Sequence, residues 1–273
     1  MLTRFAAALL LLPIAASATS CTSDKVPSGK YVALGGSFAA GPMIPDPLPD
    51  QSCERSTHNY PHLVAADLGL ELTDASCIGA TTIDVATTQL ETVTPDTDVI
   101  TITIGGNDVD YRKSLLACAG DGRDGKSCLE VGDVDAAAVG VLLDQVENKL
   151  VTMLDTVTQA APAAHVYLVA YQMILPDPAV PCPPDAPMNA ADAPFLGQIG
   201  ARLQSAFGAA ATTAGVTFVD VYGPSHGHDA CAPADQRWVE GEANPAAAPY
   251  HPNAAGMRAA ADLIVAESRK TAR

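Results

Sequence analysis

Short runs of apolar and β-branched residues recur along the chain and alternate with segments of helical periodicity. Four of these runs are strong, and a fifth, LELTDAS at residues 70–76, is weaker. The strong ones are KYVALG at 30–35, DVITITIG at 98–105, HVYLVAY at 165–171 and VTFVDV at 216–221. Because most of these runs are apolar almost throughout and do not alternate with polar residues, we expect strands that are covered on both faces.

Four longer segments carry apolar residues at helical spacing. They lie at residues 59–70, 134–160, 194–213 and 254–268. Strands that alternate with helices predict a parallel sheet with helices on both of its faces. The expected fold class is therefore α/β, a three-layer α/β/α sandwich around a five-stranded parallel sheet of the flavodoxin-like type.

Two segments interrupt this alternation. Residues 117–133 are rich in Gly and Asp, and residues 175–194 are rich in Pro. Both are longer than ordinary connections, so we interpret them as irregular excursions that could cover a functional site. In a parallel α/β sheet, such a site lies beyond the carboxyl ends of the strands.

The N-terminus differs from the rest of the chain. Arg4 is followed by the apolar run FAAALLLLPIAA and by small residues, a pattern typical of a secretory leader. We therefore predict a signal peptide at residues 1–20, a polar tether at residues 21–29 and a single folded domain at residues 30–268.

The end of the leader leaves two alternatives open. The small residues at 16–18 fit a cleavage site, whereas ATSC at 18–21 resembles a bacterial lipobox, in which Cys21 would carry a lipid and anchor the protein to a membrane. The chain has seven cysteines, and without Cys21 an even number remains, as expected of three disulfides in an exported protein. We expect export, with the protein either released or held at the cell surface as a lipoprotein.

The charge balance argues against a nucleic acid partner. The formal net charge is −16, from 15 Lys and Arg against 31 Asp and Glu, and no basic patch with interleaved aromatic residues occurs. Because binding to phosphates requires clustered cations, we expect no nucleic acid partner.

The stretch YVALGGSFAAG, residues 31–41, places a single hydroxyl on a glycine turn at the end of the first strand. It lacks the Gly-x-Gly-x-x-Gly pattern of dinucleotide-binding loops and the Gly-Lys-Ser/Thr of phosphate-binding loops. It also lacks the Gly-x-Ser-x-Gly elbow of α/β-hydrolases, since Ala39 takes the last position. Ser37 is thus either a nucleophile or simply a polar residue that caps a helix.

Three further stretches offer polar groups at the ends of strands or the start of a helix. Each by itself is also an ordinary turn or helix-start sequence. They are CIGATT at 77–82 with the backbone N–H of Gly79, TIGGND at 103–108 with the amide of Asn107, and HPNAAGM at 251–257 with the imidazole of His251.

Together and in this order, the four stretches resemble the serine, glycine, asparagine and histidine blocks of the SGNH hydrolases, also called the GDSL esterase/lipase family. The resemblance covers roughly residues 30–268 and is closest to secreted actinobacterial esterases and lipases with three disulfides. It implies the SGNH hydrolase fold and an exported serine esterase or lipase that hydrolyses carboxylic ester bonds.

The resemblance also implies roles for individual residues. Ser37 would be the nucleophile, and His251 would be the general base and then the general acid. The oxyanion hole would combine the backbone N–H groups of Ser37 and Gly79 with the side-chain amide of Asn107. The sequence alone leaves the disulfide connectivity open, but the resemblance implies that neighbouring cysteines pair in order, as Cys53–Cys77, Cys118–Cys128 and Cys182–Cys231.

Two positions depart from the family's pattern. Gly36 stands where the family usually has Asp before the serine, and Ala248 stands where the family has its acid, three residues before the histidine. Some actinobacterial members use a backbone carbonyl instead, so we expect the carbonyl of Ala248 to orient the imidazole of His251. The missing acid motivates a second hypothesis, a non-catalytic surface lipoprotein that retains the fold and binds a ligand.

We expect no cofactor and no metal. His226, His228 and Asp229 invite a metal-binding interpretation, but the two histidines are one residue apart in a loop, and nearby Cys231 is assigned to a disulfide. The expected partner is a small-molecule or lipid ester substrate, and we expect the protein to be a monomer.

Overall fold

The computed structural model describes residues 29–243 and 245–271. The predicted signal peptide at 1–20, the tether as far as residue 28 and Cys21 lie outside these residues. The helices and strands begin at Lys30 and end at Thr271.

Within the described residues, five parallel strands form one sheet in the order β2-β1-β3-β4-β5. The sheet grows from β1 first to one side, through β2, and then to the other side, through β3, so it is doubly wound and changes direction between β1 and β3. The strands are β1 (Lys30–Gly35), β2 (Glu71–Asp74), β3 (Val99–Thr103), β4 (His165–Val169) and β5 (Thr217–Val219). Each strand lies within a predicted run, and the predicted α/β fold is confirmed.

The helices cover both faces of the sheet. Those on one face are α2 and α8, and those on the other include α3, α6 and α7. Their bounds are α1 (Ser37–Ala40), α2 (Tyr60–Leu68), α3 (Thr82–Ala86), α4 (Tyr111–Arg123), α5 (Cys128–Val131), α6 (Ala136–Ala160), α7 (Ala193–Ala214) and α8 (Ala254–Thr271). Short 3₁₀ turns lie at Gln89–Thr92, Asn107–Val109 and Gly223–Ser225. Among these described helices, none has the length and apolar character needed to span a membrane.

Side chains alternate between the two layers of the core along each central strand. In β1, Val32 and Leu34 pack toward α6 and α7, whereas Tyr31 and Ala33 pack toward α2 and α8. The hydroxyl of Tyr31 is paired with that of buried Thr101 on β3 at 2.7 Å. The sheet is therefore covered on both faces, as its apolar runs predict.

The segment at 117–133 is more regular than predicted. Helix α4 continues as far as Arg123, and the buried disulfide between Cys118 and Cys128 joins it to α5. A Cβ atom at Gly122 would lie 2.0 Å from the carbonyl oxygen of Pro187. The glycine content therefore reflects a helix that packs closely against the proline-rich segment, and the interpretation of this segment as an irregular excursion is wrong.

The described residues contain three disulfides, which join the pairs that the resemblance implies. In the chain-entropy model, each closed loop stabilises the fold by about 2–4 kcal/mol. One bond ends at Cys77, the first residue of the glycine block, and the bond to Cys182 ties the proline-rich segment to the loop that leads toward His251. The pairs are Cys53–Cys77, Cys118–Cys128 and Cys182–Cys231.

Candidate active site

Ser37 lies at the carboxyl end of β1, on a turn that only glycine permits. Gly35 has φ of 137°, and a Cβ atom there would lie 2.4 Å from the carbonyl oxygen of Thr103. The N–H of Gly36 donates to the same carbonyl at 2.9 Å. The sheet therefore fixes the turn, and Ser37 is placed as the first residue of α1.

The side chain of Gln89 holds the turn from its other side. Its Oε1 accepts from the N–H of Gly35 at 2.7 Å, and its Nε2 donates to the carbonyl of Gly35 at 2.9 Å. Gln89 is buried. The amide thus bonds both main-chain groups of Gly35, and the carbonyl of Gly35 also accepts the N–H of Cys77 at 3.0 Å. These bonds limit the freedom of the residues that precede Ser37.

The imidazole of His251 faces the hydroxyl of Ser37. Its Nε2 lies 2.7 Å from Oγ, and its Nδ1 lies 2.9 Å from the carbonyl oxygen of Pro249. A carbonyl can only accept, so we assign the proton of the neutral ring to Nδ1. Nε2 then accepts the hydrogen bond of the Ser37 hydroxyl, which is the tautomer that a general base for this serine needs.

The expectation that the carbonyl of Ala248 orients the imidazole is wrong, because that carbonyl accepts the main-chain N–H of His251 at 3.1 Å. This bond closes a turn with Pro249 in its second position and Tyr250, with φ of 61°, in its third, as in a type II turn. Because the turn uses the carbonyl of Ala248, the next carbonyl, that of Pro249, meets Nδ1.

Burial lowers the pKa of His251 to about 4. The residue is 1% exposed, and the ring of Phe38 lies 5.1 Å from the imidazole, centroid to centroid. Desolvation is the largest cause, the hydrogen bond to Pro249 opposes it, and the positive charge of Arg112 adds to it. The imidazole is therefore neutral at neutral and mildly acidic pH.

The asparagine and glycine blocks meet the serine turn. The Nδ2 of Asn107 donates to the carbonyl of Ala80 at 2.8 Å, which leaves its second N–H for another acceptor. Gly79 precedes Ala80 and has φ of 78°. Neither its N–H nor that of Ser37 donates to another described residue. Ser37, Asn107 and His251 line one narrow cleft, so the structure brings these three predicted residues together, while Gly79 lines a separate cleft.

Asp108 ties the asparagine block to the start of α3. Its carboxylate accepts from the N–H of Thr82 at 3.0 Å and from the hydroxyl of Thr82 at 2.7 Å, and Lys149 lies 3.9 Å away. Asp108 is buried. This pairing sets the spacing between Asn107 and the glycine block.

Side chains support the loop that carries His251. The Nδ2 of Asn253 donates to the carboxylate of Glu240 at 2.7 Å and to the carbonyl of Arg237 at 3.0 Å. The N–H of Glu240 donates to the carbonyl of His251 at 2.9 Å. All of these residues are buried, so a buried polar network holds the loop.

A family model of the GDSL-like lipase/acylhydrolases matches residues 33–259, which include the serine, glycine, asparagine and histidine blocks. The chain belongs to that family. It is, with the family, a carboxylic ester hydrolase.

Two relatives in the family are Streptomyces enzymes. Lipase 2 of Streptomyces coelicolor is 36% identical over 266 residues, which covers 90% of this chain and 88% of the relative. A lipase of Streptomyces rimosus is 31% identical over 268 residues, which covers 92% of each chain.

Solved structures of related chains have the same fold. The extracellular lipase of Streptomyces rimosus superposes with a TM-score of 0.74 at 29% identity, covering 88% of this chain and 99% of the lipase. Phospholipase A1 of Streptomyces albidoflavus gives a TM-score of 0.75 at 23% identity, covering 89% of this chain and 99% of the other. The second likeness shows the fold alone.

The structure shows other contacts for His228, one of the residues that suggested a metal site in the 226–242 segment. His228 stacks on Trp238 with 4.2 Å between ring centroids, and its Nδ1 faces the carbonyl of Gln236. Elsewhere in the described residues, the sulfurs of Cys118 and Cys128 lie close to Asp192, but the two sulfurs are bonded to each other.

Sequence reasoning missed five residues around this family's blocks. The start of α8 gave a signal for Asn253, because an Asn before a helical segment is a typical N-cap. Asp108 follows Asn107 directly within its block. Gln89, Arg112 and Pro249 carry no local pattern, since their roles depend on which distant segments they meet in the fold.

Proposed function

We propose that the chain is an exported serine esterase or lipase that uses Ser37 as nucleophile and His251 as general base. The observation that carries this proposal is the 2.7 Å contact between Nε2 of His251 and Oγ of Ser37. The lipases that match over most of their length support ester hydrolysis as the reaction.

In the acylation step, Oγ of Ser37 attacks the carbonyl carbon of the ester while Nε2 of His251 takes the hydroxyl proton. The carbonyl oxygen becomes an oxyanion beside the N–H groups of Ser37 and Gly79 and the amide of Asn107. The imidazolium then gives its proton to the oxygen of the leaving alcohol, and an acyl-serine remains.

In the deacylation step, a water molecule replaces the alcohol. His251 takes a proton from the water as it attacks the acyl carbon, and returns the proton to Oγ of Ser37. The carbonyl of Pro249 holds Nδ1–H throughout, which keeps the ring in one tautomer. A neutral carbonyl stabilises the imidazolium less than a carboxylate does, in line with the low pKa of His251.

Export is part of the same proposal. Three disulfides favour an oxidising compartment, and the Streptomyces rimosus relative is described as extracellular. We propose that residues 1–20 are a signal peptide, residues 21–29 a tether, and residues 30–268 the hydrolase domain. The mass of the mature N-terminus, measured on cell-surface and medium fractions, distinguishes lipidation of Cys21 from cleavage after residue 18.

The test compares Ser37→Ala and His251→Ala with the wild type. The measurements are hydrolysis of p-nitrophenyl butyrate and labelling with a fluorophosphonate probe, with Ser205→Ala, an exposed serine on α7, as the matched control. We expect each site variant to lose about 10⁴-fold or more in kcat, and labelling to require Ser37. Wild-type protein that neither labels nor hydrolyses any ester would support the non-catalytic surface lipoprotein instead.

A further inference from the structure

Arg112 lines the cleft of the candidate site together with Ser37, Asn107 and His251. Among the residues that the structure describes, no carboxylate lies within 4.0 Å of it. In the described part of the chain, every other Lys or Arg except Arg269 lies within 4.0 Å of a carboxylate. The chain has a net charge of −16, so an unpaired cation at the site differs from the rest of the protein, where acidic residues are in excess.

The guanidinium of Arg112 also has unused hydrogen-bonding capacity. The side chain is half-buried, and its Nε is buried without a hydrogen-bond partner among the described residues. A buried donor without an acceptor is costly. Anions that present two oxygens side by side, such as carboxylates and phosphates, match the fork of a guanidinium and satisfy two of its donors at once.

The position of Arg112 indicates which part of an ester it would meet. In the proposed reaction, His251 delivers its proton to the leaving alcohol, so the alcohol lies on the imidazole side of the cleft. Arg112 is on this side, since it lines the same cleft as the imidazole of His251. A separate cleft beside Gly79, lined by Ile78 and Ala80, offers room for the acyl part.

We propose that Arg112 binds an anionic group in the alcohol part of the ester, and that the substrate class is an ester whose alcohol carries a phosphodiester or a carboxylate. This inference rests on the proposed function of Ser37 and His251. The acidic surface of the protein repels anionic substrates, so an unpaired cation inside the cleft is needed if such a substrate is to bind there.

The test measures kcat/KM for two esters that share an acyl group. Dibutyryl phosphatidylglycerol carries a phosphodiester on its alcohol part, and dibutyrylglycerol is neutral. We expect the anionic-to-neutral ratio to fall about 10- to 100-fold in Arg112→Gln and to be partly retained in Arg112→Lys, which keeps the charge but loses the fork. Arg269→Gln removes the other arginine of the described residues that lacks a carboxylate partner, exposed on α8, and should leave the ratio unchanged.

Two further substrates show which part of the ester carries the anion, and a salt dependence tests the proposal if the variant does not fold. Butyryl lactate carries a carboxylate on the alcohol, and mono-p-nitrophenyl succinate carries one on the acyl part. If Arg112→Gln loses kcat/KM only for phosphatidylglycerol, the group that Arg112 binds is a phosphodiester. If it loses kcat/KM equally for butyryl lactate, Arg112 binds anionic alcohols in general. If Arg112→Gln does not fold, salt should still lower the anionic-to-neutral ratio of the wild type.

Three outcomes would overturn the proposal. They are an unchanged ratio in a folded Arg112→Gln, a loss confined to the succinate, and, where that variant does not fold, a wild-type ratio that salt leaves unchanged. Wild-type protein that hydrolyses none of these esters would instead contradict the proposed function.

Discussion

The turn that carries Ser37 is bonded to the sheet, whereas the loop that carries His251 is held by other loop segments and by the side chain of Asn253. The turn before Ser37 bonds to Thr103 at the end of β3, so its place follows from strand pairing. In the part of the chain that the structure describes, the loop of His251 contains no strand of the sheet. An isolated bridge joins Val239 and Pro252, and main-chain bonds such as that from Glu240 tie the loop to its neighbours. The side chain of Asn253 adds further bonds. The two partners of one hydrogen bond thus depend on different kinds of structure, and we expect them to respond differently to substitution.

The candidate site thus has two halves, the sheet-bound turn of Ser37 and the loop of His251. The largest effect is expected at Asn253, in the half that carries His251. Asn253→Ala removes the acceptor for the N–H of Gly256 at the start of α8 and leaves the buried carboxylate of Glu240 without its 2.7 Å donor. The loss of a cap and of a buried charged hydrogen bond should together lower the free energy of unfolding by about 2–4 kcal/mol. Urea unfolding measures this change.

Asn253→Ser is the matched control for that change. Serine retains the cap but cannot reach Glu240, so it should recover about 1 kcal/mol of the loss. The rate of fluorophosphonate labelling per folded molecule reports on the position of the imidazole, and it should fall in both variants. Equal stability of Asn253→Ala and the wild type would show that the network does not hold the loop.

A smaller effect is expected at Gln89, in the half built on the sheet. Gln89→Ala leaves the N–H of Gly35 without its 2.7 Å acceptor, while the carbonyl of Gly35 keeps the N–H of Cys77 as a donor. The unpaired N–H should cost about 1–3 kcal/mol of stability. The bond from Gly36 to Thr103 remains and still fixes the turn to the sheet. Ser37 should therefore keep its position, and kcat should fall less than tenfold. Gln145→Ala, at an exposed glutamine on α6, controls for the loss of an amide elsewhere.

A kcat loss in Gln89→Ala much greater than in Asn253→Ala would reverse the comparison. It would mean that the sheet alone does not place the nucleophile and that the amide of Gln89 is the main support of the turn.

The half built on the sheet is also the half that sequence reasoning could foresee. Apolar runs predict the strands, and the ends of parallel strands share one edge, so Ser37 and Asn107 fall together. The convergence of His251 needed the family resemblance, because no periodicity fixes where a loop before the last helix returns. The carbonyl that meets its Nδ1 depended on the turn at Pro249 and Tyr250, a backbone detail that the sequence does not determine.

The glycines of residues 117–133 show a different limit. Composition indicated an irregular loop there, since Gly in a helix is unfavourable by about 1 kcal/mol relative to Ala. The structure places Gly122 in α4, against the main chain of Pro187. Close packing by a distant segment outweighs the local preference, and the sequence of residues 117–133 does not indicate which segment packs there.

The smallest effect, absent at neutral pH, concerns the titration of His251. Its pKa in the folded enzyme is about 4, lowered from 6.5 mainly by burial. The base acts in its neutral form, so kcat/KM should stay level from pH 7 to about 5 and lose half its value near pH 4. The unfolded chain binds this proton first, near pH 6.5, so this group should lower stability as pH falls from 6.5 toward 4.

The same profile sharpens the comparison between the two halves. Asn253→Ser loosens the loop and admits water to the imidazole, so the acidic limb of its kcat/KM profile should move upward, toward pH 6.5. Gln89→Ala disturbs the serine turn but not the loop, and its limb should stay near pH 4. A wild-type limb near pH 6.5 would mean that water reaches the imidazole in solution, and the loop would then hold His251 less closely than its hydrogen bonds indicate.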